Sequence, residues 1–392
     1  MLTRSPLPTA AKCRGEPIAT IHATAPIRIC DIGGWTDTWF ARWGKVFNIA
    51  VRPLVAVRID VYPPRSRQAR VVLDVQNYAA RYAPALDGSA WKPHPLLEAA
   101  LHEIRPPDDV DIEVTIRSDA PAGASTGTSA AVVVAMLGGL NRLAQGHRTI
   151  QEIASTAHVV EAVRLGRQCG IQDQICSAFG GANFIEMTEY PRAVVSQLTL
   201  TDRVRRELQR RLALIYLGRP HRSSTVHGKV WENLERAGPD CPQLTALRAA
   251  AQAARDALLS GDFDALGSAM RDNTAAQSEL HAELVHEDAR RVFEIAAAHG
   301  AAGWKVNGAG GDGGSMTLLS GADPASKRAM LRAIIEENPA LVPLPIRFSR
   351  EGLRAWWAVG RSRDSQRSTR PAGSGQTRPA ARLSRTSPQT TP

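Results

Sequence analysis

The chain has 392 residues, 43% of them hydrophobic and 5% aromatic, and a formal net charge of +10. That length carries two or three domains with large apolar cores, and no run approaches the roughly 18 to 20 consecutive apolar residues that span a bilayer. With no apolar signal-peptide core at the start either, no membrane partner is predicted and the cytoplasm is the expected compartment.

Residues 1–20 hold prolines and no apolar period, the pattern of a flexible leader. From Ile21 to Asp31, Ile27 and Ile29 alternate with Arg28 and Cys30 as in a strand. The strand runs into Asp31-Ile-Gly-Gly-Trp-Thr-Asp37, residues that form tight turns whatever their function. Here they also set Gly34, Thr36 and Asp37 beside an arginine, and a carboxylate fixed by a turn is a good acceptor for sugar hydroxyls. Val46 to Tyr62 alternates again and predicts two strands turned near Pro53. Arg65 to Pro93 is mixed and singles out no residue, and His94 to Ile104 predicts a short helix in which His94 and His102 are structural.

Val110 to Arg117 alternates as a strand, and Ala130 to Leu140 is apolar on every side, as in a buried helix. Between them Gly123, Ser125, Thr126, Gly127, Thr128 and Ser129 carry small side chains or none, so a polyphosphate can approach free backbone N–H groups at the positive end of the helix. Thr128 and Ser129 add hydroxyls within reach of a phosphate oxygen or a magnesium ion. A glycine-rich turn before a core helix is the plainer alternative. No Gly-x-x-x-x-Gly-Lys-Ser/Thr occurs, so a nucleotide site here is not a P-loop.

Thr149 to Gln168 predicts one helix with Ile153, Ala157, Val160 and Val163 on a common face and Glu161 just off it. Asp173 follows twelve residues later between Gln172 and Gln174, among small and apolar neighbours, a setting that tunes a carboxylate for base chemistry. Ala182–Met187 and Val194–Leu200 predict strands, and Asp202–Arg211 a charged junction between domains. Beyond the strand Leu212–Leu217 lies a basic, hydroxyl-rich turn with Arg222, Ser223 and Ser224, then four helical segments near 226–234, 244–259, 263–280 and 287–299. The stretch 303–319 contains Gly308, Gly310, Gly311 and Gly313 and satisfies the dinucleotide-binding pattern, yet a strand rather than a helix follows it, so that assignment is rejected. A helix at Pro324–Glu337 and a strand at Leu341–Phe348 end the regular pattern. Residues 361–392 hold seven arginines and one aspartate, hence +6 of the +10, in a Ser/Thr/Pro/Gly-rich sequence predicted as a disordered basic tail. With no aromatic-basic interleaving before the tail, no specific nucleic-acid partner is expected. The five cysteines include no Cys-x-x-Cys pair, against a disulfide framework or zinc site.

Three of these stretches, in this order, resemble the motifs of the GHMP kinases. Arg28 and Asp37 stand nine apart as in the first motif of the sugar-kinase branch, and the Gly-Gly-x-Thr-Asp form is similar to heptose 7-phosphate kinases and fucokinases. Pro121, Gly127, Ser129, Ala130 and Ala131 match the second motif, Pro-x-x-x-Gly-Leu-Gly-Ser-Ser-Ala-Ala, with Ser125, Thr126 and Thr128 departing from it. Gly308, Gly310 and Gly311 fall in the third. The Glu161 and Asp173 pair has the family's separation.

The resemblance implies an α+β, two-lobed fold: a ribosomal-protein-S5-like N-terminal lobe over 21–205, a ferredoxin-like C-terminal lobe over 206–360, and ATP between them. It implies a sugar kinase in which Pro121 to Ser129 and the Gly308 loop hold ATP, and Mg²⁺ sits between Glu161 and Thr128 or Ser129. Asp173 is then the base beside Arg28, and Gly34, Thr36 and Asp37 hold the sugar. A heptose 7-phosphate acceptor would add Arg222 and Ser223 for its phosphate, with Lys229 and Lys305 as lesser candidates. The implied partner is a small-molecule sugar or sugar phosphate, and a homodimer stays open. The alternatives are a fucokinase-like or other hexose 1-kinase, an isoprenoid-type small-molecule kinase or decarboxylase of the same superfamily, and a non-catalytic sugar sensor.

Overall fold

The computed structural model describes residues 15–88, 91–220 and 225–358, with the backbone alone for 225–227. Most of the leader, Arg222, Ser223 and Ser224 of the basic turn, and the tail lie outside the described residues. In chain order the elements are β1 (Ala19–Ile32), β2 (Gly44–Tyr62), β3 (Val71–Val75), β4 (Ala80–Tyr82), α1 (Pro95–Glu103), β5 (Asp111–Ser118), α2 (Thr128–Leu143), α3 (Ile150–His158), a π-helical turn (Val159–Arg164) and α4 (Gln172–Phe179). They continue as β6 (Ala182–Glu189), β7 (Arg192–Gln197), α5 (Asp202–Arg211), β8 (Leu212–Tyr216), α6 (Thr225–Ala237), α7 (Pro242–Ser260), α8 (Phe263–Leu280) and α9 (Glu287–Ala298). The last are β9 (Gly303–Val306), β10 (Ser315–Leu319), α10 (Pro324–Glu337), β11 (Val342–Leu344), β12 (Arg347–Phe348) and β13 (Arg354–Trp357).

The fold is α+β and built on two sheets. The first runs β13-β1-β2-β5-β3-β4, with β6 and β12 paired to β2 and β7 to β6; only β3 and β5 pair in parallel. Its strands alternate, so Ile27, Ile29, Ile49, Ile59 and Val114 face a core closed by α2, α4 and α7. The second sheet, β11-β8-β10-β9, is antiparallel throughout and packs Ile215, Met316 and Leu318 against α9 and α10. Among the described residues no helix is long and apolar enough to cross a membrane.

Four predicted elements change on folding. Val46–Tyr62 is one strand: the register steps from Ile27 opposite Val51 to Pro26 opposite Leu54, so Arg52 and Pro53 form a bulge without reversing the chain. A proline costs no ladder hydrogen bond there. The junction at 202–211 is the helix α5, capped by Thr201, which accepts from Val204 N–H at 3.3 Å, and laced by Glu207 to Arg210 and Arg211. The predicted strand at 341–348 is two short strands in different sheets, and β13 follows them. The helix predicted to run to Gln168 leaves α-helical register after His158.

The chain beyond β12 straps the end of α4. Ser349 N–H donates to Ala50, Gly181 N–H to Ser349 and Leu353 N–H to Ala178. The backbones cross so closely that a Cβ on Gly352 would lie 2.1 Å from the Ala178 carbonyl oxygen. Gly352→Ala must push this strap off α4. A loss of unfolding free energy on the order of 2–4 kcal/mol is expected from that strain, read from urea denaturation midpoints; an unchanged midpoint would show that the strap yields freely.

Candidate active site

The helix α2 is buried on nearly every side, which an all-apolar sequence from Ala130 to Leu137 makes favourable, and this fixes its N-terminus in space. Its first residue is preceded by Gly127 at φ 66°, with no side chain capping the helix. The first-turn N–H groups therefore keep their dipole and hydrogen-bonding capacity for a ligand. Ser125 is also left-handed, at φ 56°, and its buried hydroxyl has no hydrogen-bond partner among the described residues. The Thr126 and Thr128 hydroxyls sit 3.1 Å apart, and Ser129 is exposed on the first turn. Pro121 stands behind the loop, its carbonyl accepting Ala124 N–H at 3.4 Å.

The loop lies over an ion pair. Arg28 projects from β1 and is buried; its Nε donates to Asp173 Oδ1 at 2.6 Å and its Nη2 to Oδ2 at 3.4 Å. Its Nη1 donates to the Ser125 carbonyl at 2.6 Å and to Asp31 at 3.4 Å. Burial works against the charge on Arg28, but Asp173 and Asp31 outweigh it and hold the proton more firmly than on an ordinary arginine. A Cβ on Gly127 would meet the Asp173 carboxyl carbon and Arg28 Cγ, both at 3.1 Å. Only glycine lets the helix end approach the pair so closely.

Glu161 reaches the same cavity through the π turn. Such turns add a residue and re-aim side chains at functional sites. Gln174 Nε2 donates to Glu161 at 2.9 Å, and Arg167 Nη1 stands 3.9 Å from it. Burial, together with the nearby Asp173 charge, raises the Glu161 carboxyl above the usual range.

Asp37 caps α4 from outside. Its Oδ2 accepts from Ile171 N–H at 2.9 Å and Gln172 N–H at 3.0 Å, so one side chain fixes the helix that carries Asp173. A Cβ on Gly170 would fall 2.1 Å from that oxygen. Burial pushes the Asp37 carboxyl up to about 6, although the two N–H donors pull it back. Gly34 lines the cavity, and a Cβ there would stand 3.1 Å from Asp31 and 3.2 Å from Gln172. Thr36 departs from the sequence expectation of a sugar contact: it is fully buried and its hydroxyl joins the Gly33 carbonyl at 2.7 Å to Lys45 N–H at 3.1 Å, closing the turn.

The third glycine loop arrives from the second sheet. Gly308 N–H donates to both Asp31 oxygens at 3.0 Å, beside Arg28. Gly310 and Gly311 face away from the cavity: Gly311 N–H donates to the Leu284 carbonyl at 3.0 Å, and a Cβ on Gly310 would collide with that oxygen at 2.2 Å. Lys305, a lesser candidate for gripping a sugar phosphate, is fully buried and bonded to Gln277, so it cannot serve as one; Lys229 is exposed.

Arg28, Asp31, Gly34, Asp37, the loop from Gly123 to Ser129, Glu161, Asp173 and Gly308 line one cavity of about 670 Å³. Asn77, Tyr78 and His94 form one part of its wall, with Trp35, Trp39 and Trp231 forming another. Trp39 meets Trp231 edge-on at 5.5 Å and donates from Nε1 to Glu235 at 2.9 Å. The sequence reads His94 as structural and singles out none of the others as site residues. Nor does it single out Asn307, whose Oδ1 accepts from Cys30 N–H at 3.0 Å and from Thr317 at 2.8 Å. An isolated Trp or Asn gives no period; the Gly-Gly-Trp turn was the only cue.

Residues 94–181 match the family model described as GHMP kinases N terminal domain, and residues 254–339 that described as GHMP kinases C terminal. A mevalonate kinase of Pyrococcus furiosus is 30% identical over 259 residues, 63% of this chain and 69% of that protein. A D-glycero-alpha-D-manno-heptose 7-phosphate kinase of Campylobacter jejuni is 26% identical over 242 residues, 61% of this chain and 69% of that protein. A bifunctional fucokinase/GDP-fucose pyrophosphorylase of Arabidopsis thaliana is 26% identical over 333 residues, 80% of this chain, which spans only 31% of the plant protein. Among solved structures, a D-glycero-D-manno-heptose 1-phosphate kinase from Bacteriodes thetaiotaomicron shares the fold with a TM-score of 0.65 at 20% identity, over 86% of this chain and 98% of that one. A galactokinase from Lactococcus lactis does so with a TM-score of 0.67 at 15% identity, over 86% and 95%. With both family models matched in order, and the helix end, the Arg28–Asp173 pair and the third loop brought to one cavity, the chain belongs to the GHMP kinase family.

Proposed function

We propose that the protein is an ATP-dependent sugar kinase that phosphorylates the anomeric hydroxyl of a heptose 7-phosphate. The observation that carries this reading is the carboxylate of Asp173, held by Arg28 directly beneath the open N-terminus of α2. Phosphoryl transfer asks a protein for position and charge neutralisation more than for covalent chemistry.

The residues fit the implied groups. The Ser125 hydroxyl and the side-chain carbonyls of Gln172 and Gln174 are buried, have no hydrogen-bond partner among the described residues and belong to cavity-lining residues. The N–H groups from Gly123 to Ser129 would hold the phosphates of ATP, the donor substrate. Glu161 with a hydroxyl of Thr128 or Ser129 would hold Mg²⁺, an ion that takes one or two carboxylates and completes its shell with phosphate and water. Bound there, the metal would supply charge neutralisation for the triphosphate. Asp173 accepts the proton of the attacking sugar hydroxyl, and Arg28 fixes the orientation of that carboxylate. Asp37 and Gln172 hold further hydroxyls.

The acceptor's own phosphate needs a cation apart from these. Arg222 and Ser223 lie outside the described residues; Arg167, exposed at the cavity wall with its nearest carboxylate 3.9 Å away, is a second candidate. The alternative acceptor is an unphosphorylated deoxyhexose, favoured by the indoles of Trp39 and Trp231 in the cavity wall, which suit an apolar sugar face.

ADP release measured over heptose 7-phosphates, fucose and hexoses separates the two. Heptose 7-phosphate should give the highest kcat/KM, and Arg222→Ala or Arg167→Ala should raise its KM roughly 10- to 100-fold, the loss of a charged hydrogen-bonded contact. A preference for fucose with both variants neutral would transfer the assignment to the alternative, and no turnover with any sugar would refute a sugar kinase. As the base, Asp173 should be needed for turnover more than for binding. Asp173→Asn is expected to lower kcat roughly 10²- to 10⁴-fold with the circular dichroism spectrum and ATP affinity preserved; near-normal turnover would remove it from that role.

Asp37 supplies a pH test. Because its carboxyl titrates near 6 in the folded chain, the folded state keeps a proton that the unfolded chain releases from about pH 4 upward. Stability therefore falls as pH rises through that window and the cost, on the order of 3 kcal/mol, stays constant above it. Asp37→Asn should melt higher than wild type at pH 8, match it near pH 4 and raise the KM of the sugar. A variant that melts lower at pH 8 would contradict this.

A further inference from the structure

The buried side of the Arg28–Asp173 pair contains two more charges. Asp31 and Lys305 are both about 1% exposed, with Lys305 Nζ 3.8 Å from Asp31 Oδ1. Lys305 also donates to Gln277 Oε1 at 2.9 Å and to the Val306 carbonyl. Gly308 is gripped on both sides: its N–H donates to Asp31 at 3.0 Å and its carbonyl accepts from Gln277 Nε2 at 3.3 Å. Lys305 touches both grips. A Cβ on Gly308 would lie 3.3 Å from Arg28 Nη2, so whatever places Gly308 also bounds the guanidinium.

A fully buried lysine is costly, and burial lowers its hold on its proton. An apolar residue would fill the same space on β9 at less cost, so the charge calls for an account. Arg28, with 5% of its side chain exposed, lies between two carboxylates, Asp31 at 3.4 Å and Asp173 at 2.6 Å. Were Asp31 without a second cation, its whole charge would draw the guanidinium inward and away from Asp173. Lys305 supplies that cation and leaves the four charges balanced, two of each sign. We propose that Lys305 is a positioning residue: by neutralising Asp31 and tying it to Gln277, it keeps Arg28 on Asp173 and Gly308 beside them. The second sheet thereby sets the geometry of a base carried on the first. The inference rests on the kinase reading for its kinetic part and on the structure alone for the pairing.

Four full-length proteins test it: wild type, Lys305→Met, Asp31→Asn and the double variant. With the best sugar from the acceptor panel, Lys305→Met should lower kcat roughly 10- to 100-fold while both KM values stay within about threefold, the pattern of a contact that matters in the transition state and not in binding. Asp31→Asn leaves two buried cations facing each other and should lose more. The double variant has no unpaired buried charge and should recover at least about fivefold in kcat over Asp31→Asn, with a urea midpoint no lower. The proposal is overturned if Lys305→Met turns over within about twofold of wild type, or if the double variant is no better than Asp31→Asn in both readings. Should Lys305→Met fail to fold, the double variant decides: recovery of folding supports the pairing, and its failure opposes it. The urea midpoints are read without substrate, so a wild type inactive on every sugar would count against the kinase reading and leave the pairing to be judged on stability.

Discussion

The structure depends on keeping one guanidinium in place. Arg28 is buried, and a buried cation must be matched by acceptors on all sides or it destabilises the fold. Asp173 comes from α4, the Ser125 carbonyl from the loop before α2, and Asp31 from β1 itself. Each brings one of the glycine-rich or acidic stretches to the same point, so the demand of a single side chain joins three distant segments. Arg28 N–H also donates to the Thr126 carbonyl at 2.9 Å, binding backbone as well as side chain to the loop.

Around that point the fold tolerates local cost. Ser125 adopts a left-handed backbone, the helix after His158 widens into a π turn, and Asp37 is buried with a raised carboxyl. Strain of this kind persists where surrounding structure over-determines it and clusters at functional sites. Here the rigid parts are evident: α2 is enclosed by the core, α4 is capped by Asp37 at one end and strapped by Ser349 to Leu353 at the other. The proposed site thus lies on element ends whose bodies are packed or pinned.

Much of this was legible in the sequence because motifs and periods survive without long-range knowledge. The apolar run after Gly127 announced a buried helix, and the spacings of Arg28 to Asp37 and Glu161 to Asp173 matched the family whose two domain models the chain matches. What was not legible depends on partners far away. The charges of 202–211 masked a helix whose Val204 and Leu208 are buried only because the core is there. The π turn keeps helical composition and alters only its hydrogen bonding. Thr36 reads as a sugar contact because it shares a turn with Gly34 and Asp37, and the structure turns its hydroxyl inward. Lys305 reads as a possible cation for a sugar phosphate until β9 carries it under Asp31, and Asn307 draws no notice until its side chain meets Cys30.

If Arg28 and Asp173 work as one unit, their removal cannot be additive. The direct measurement is a double-mutant cycle on kcat with Arg28→Met, Asp173→Asn and both together. The account predicts that the double variant is little slower than the worse single variant, at least about tenfold faster than the product of the two losses. Losses that simply multiply would show two independent residues and contradict the pair at the centre of the site.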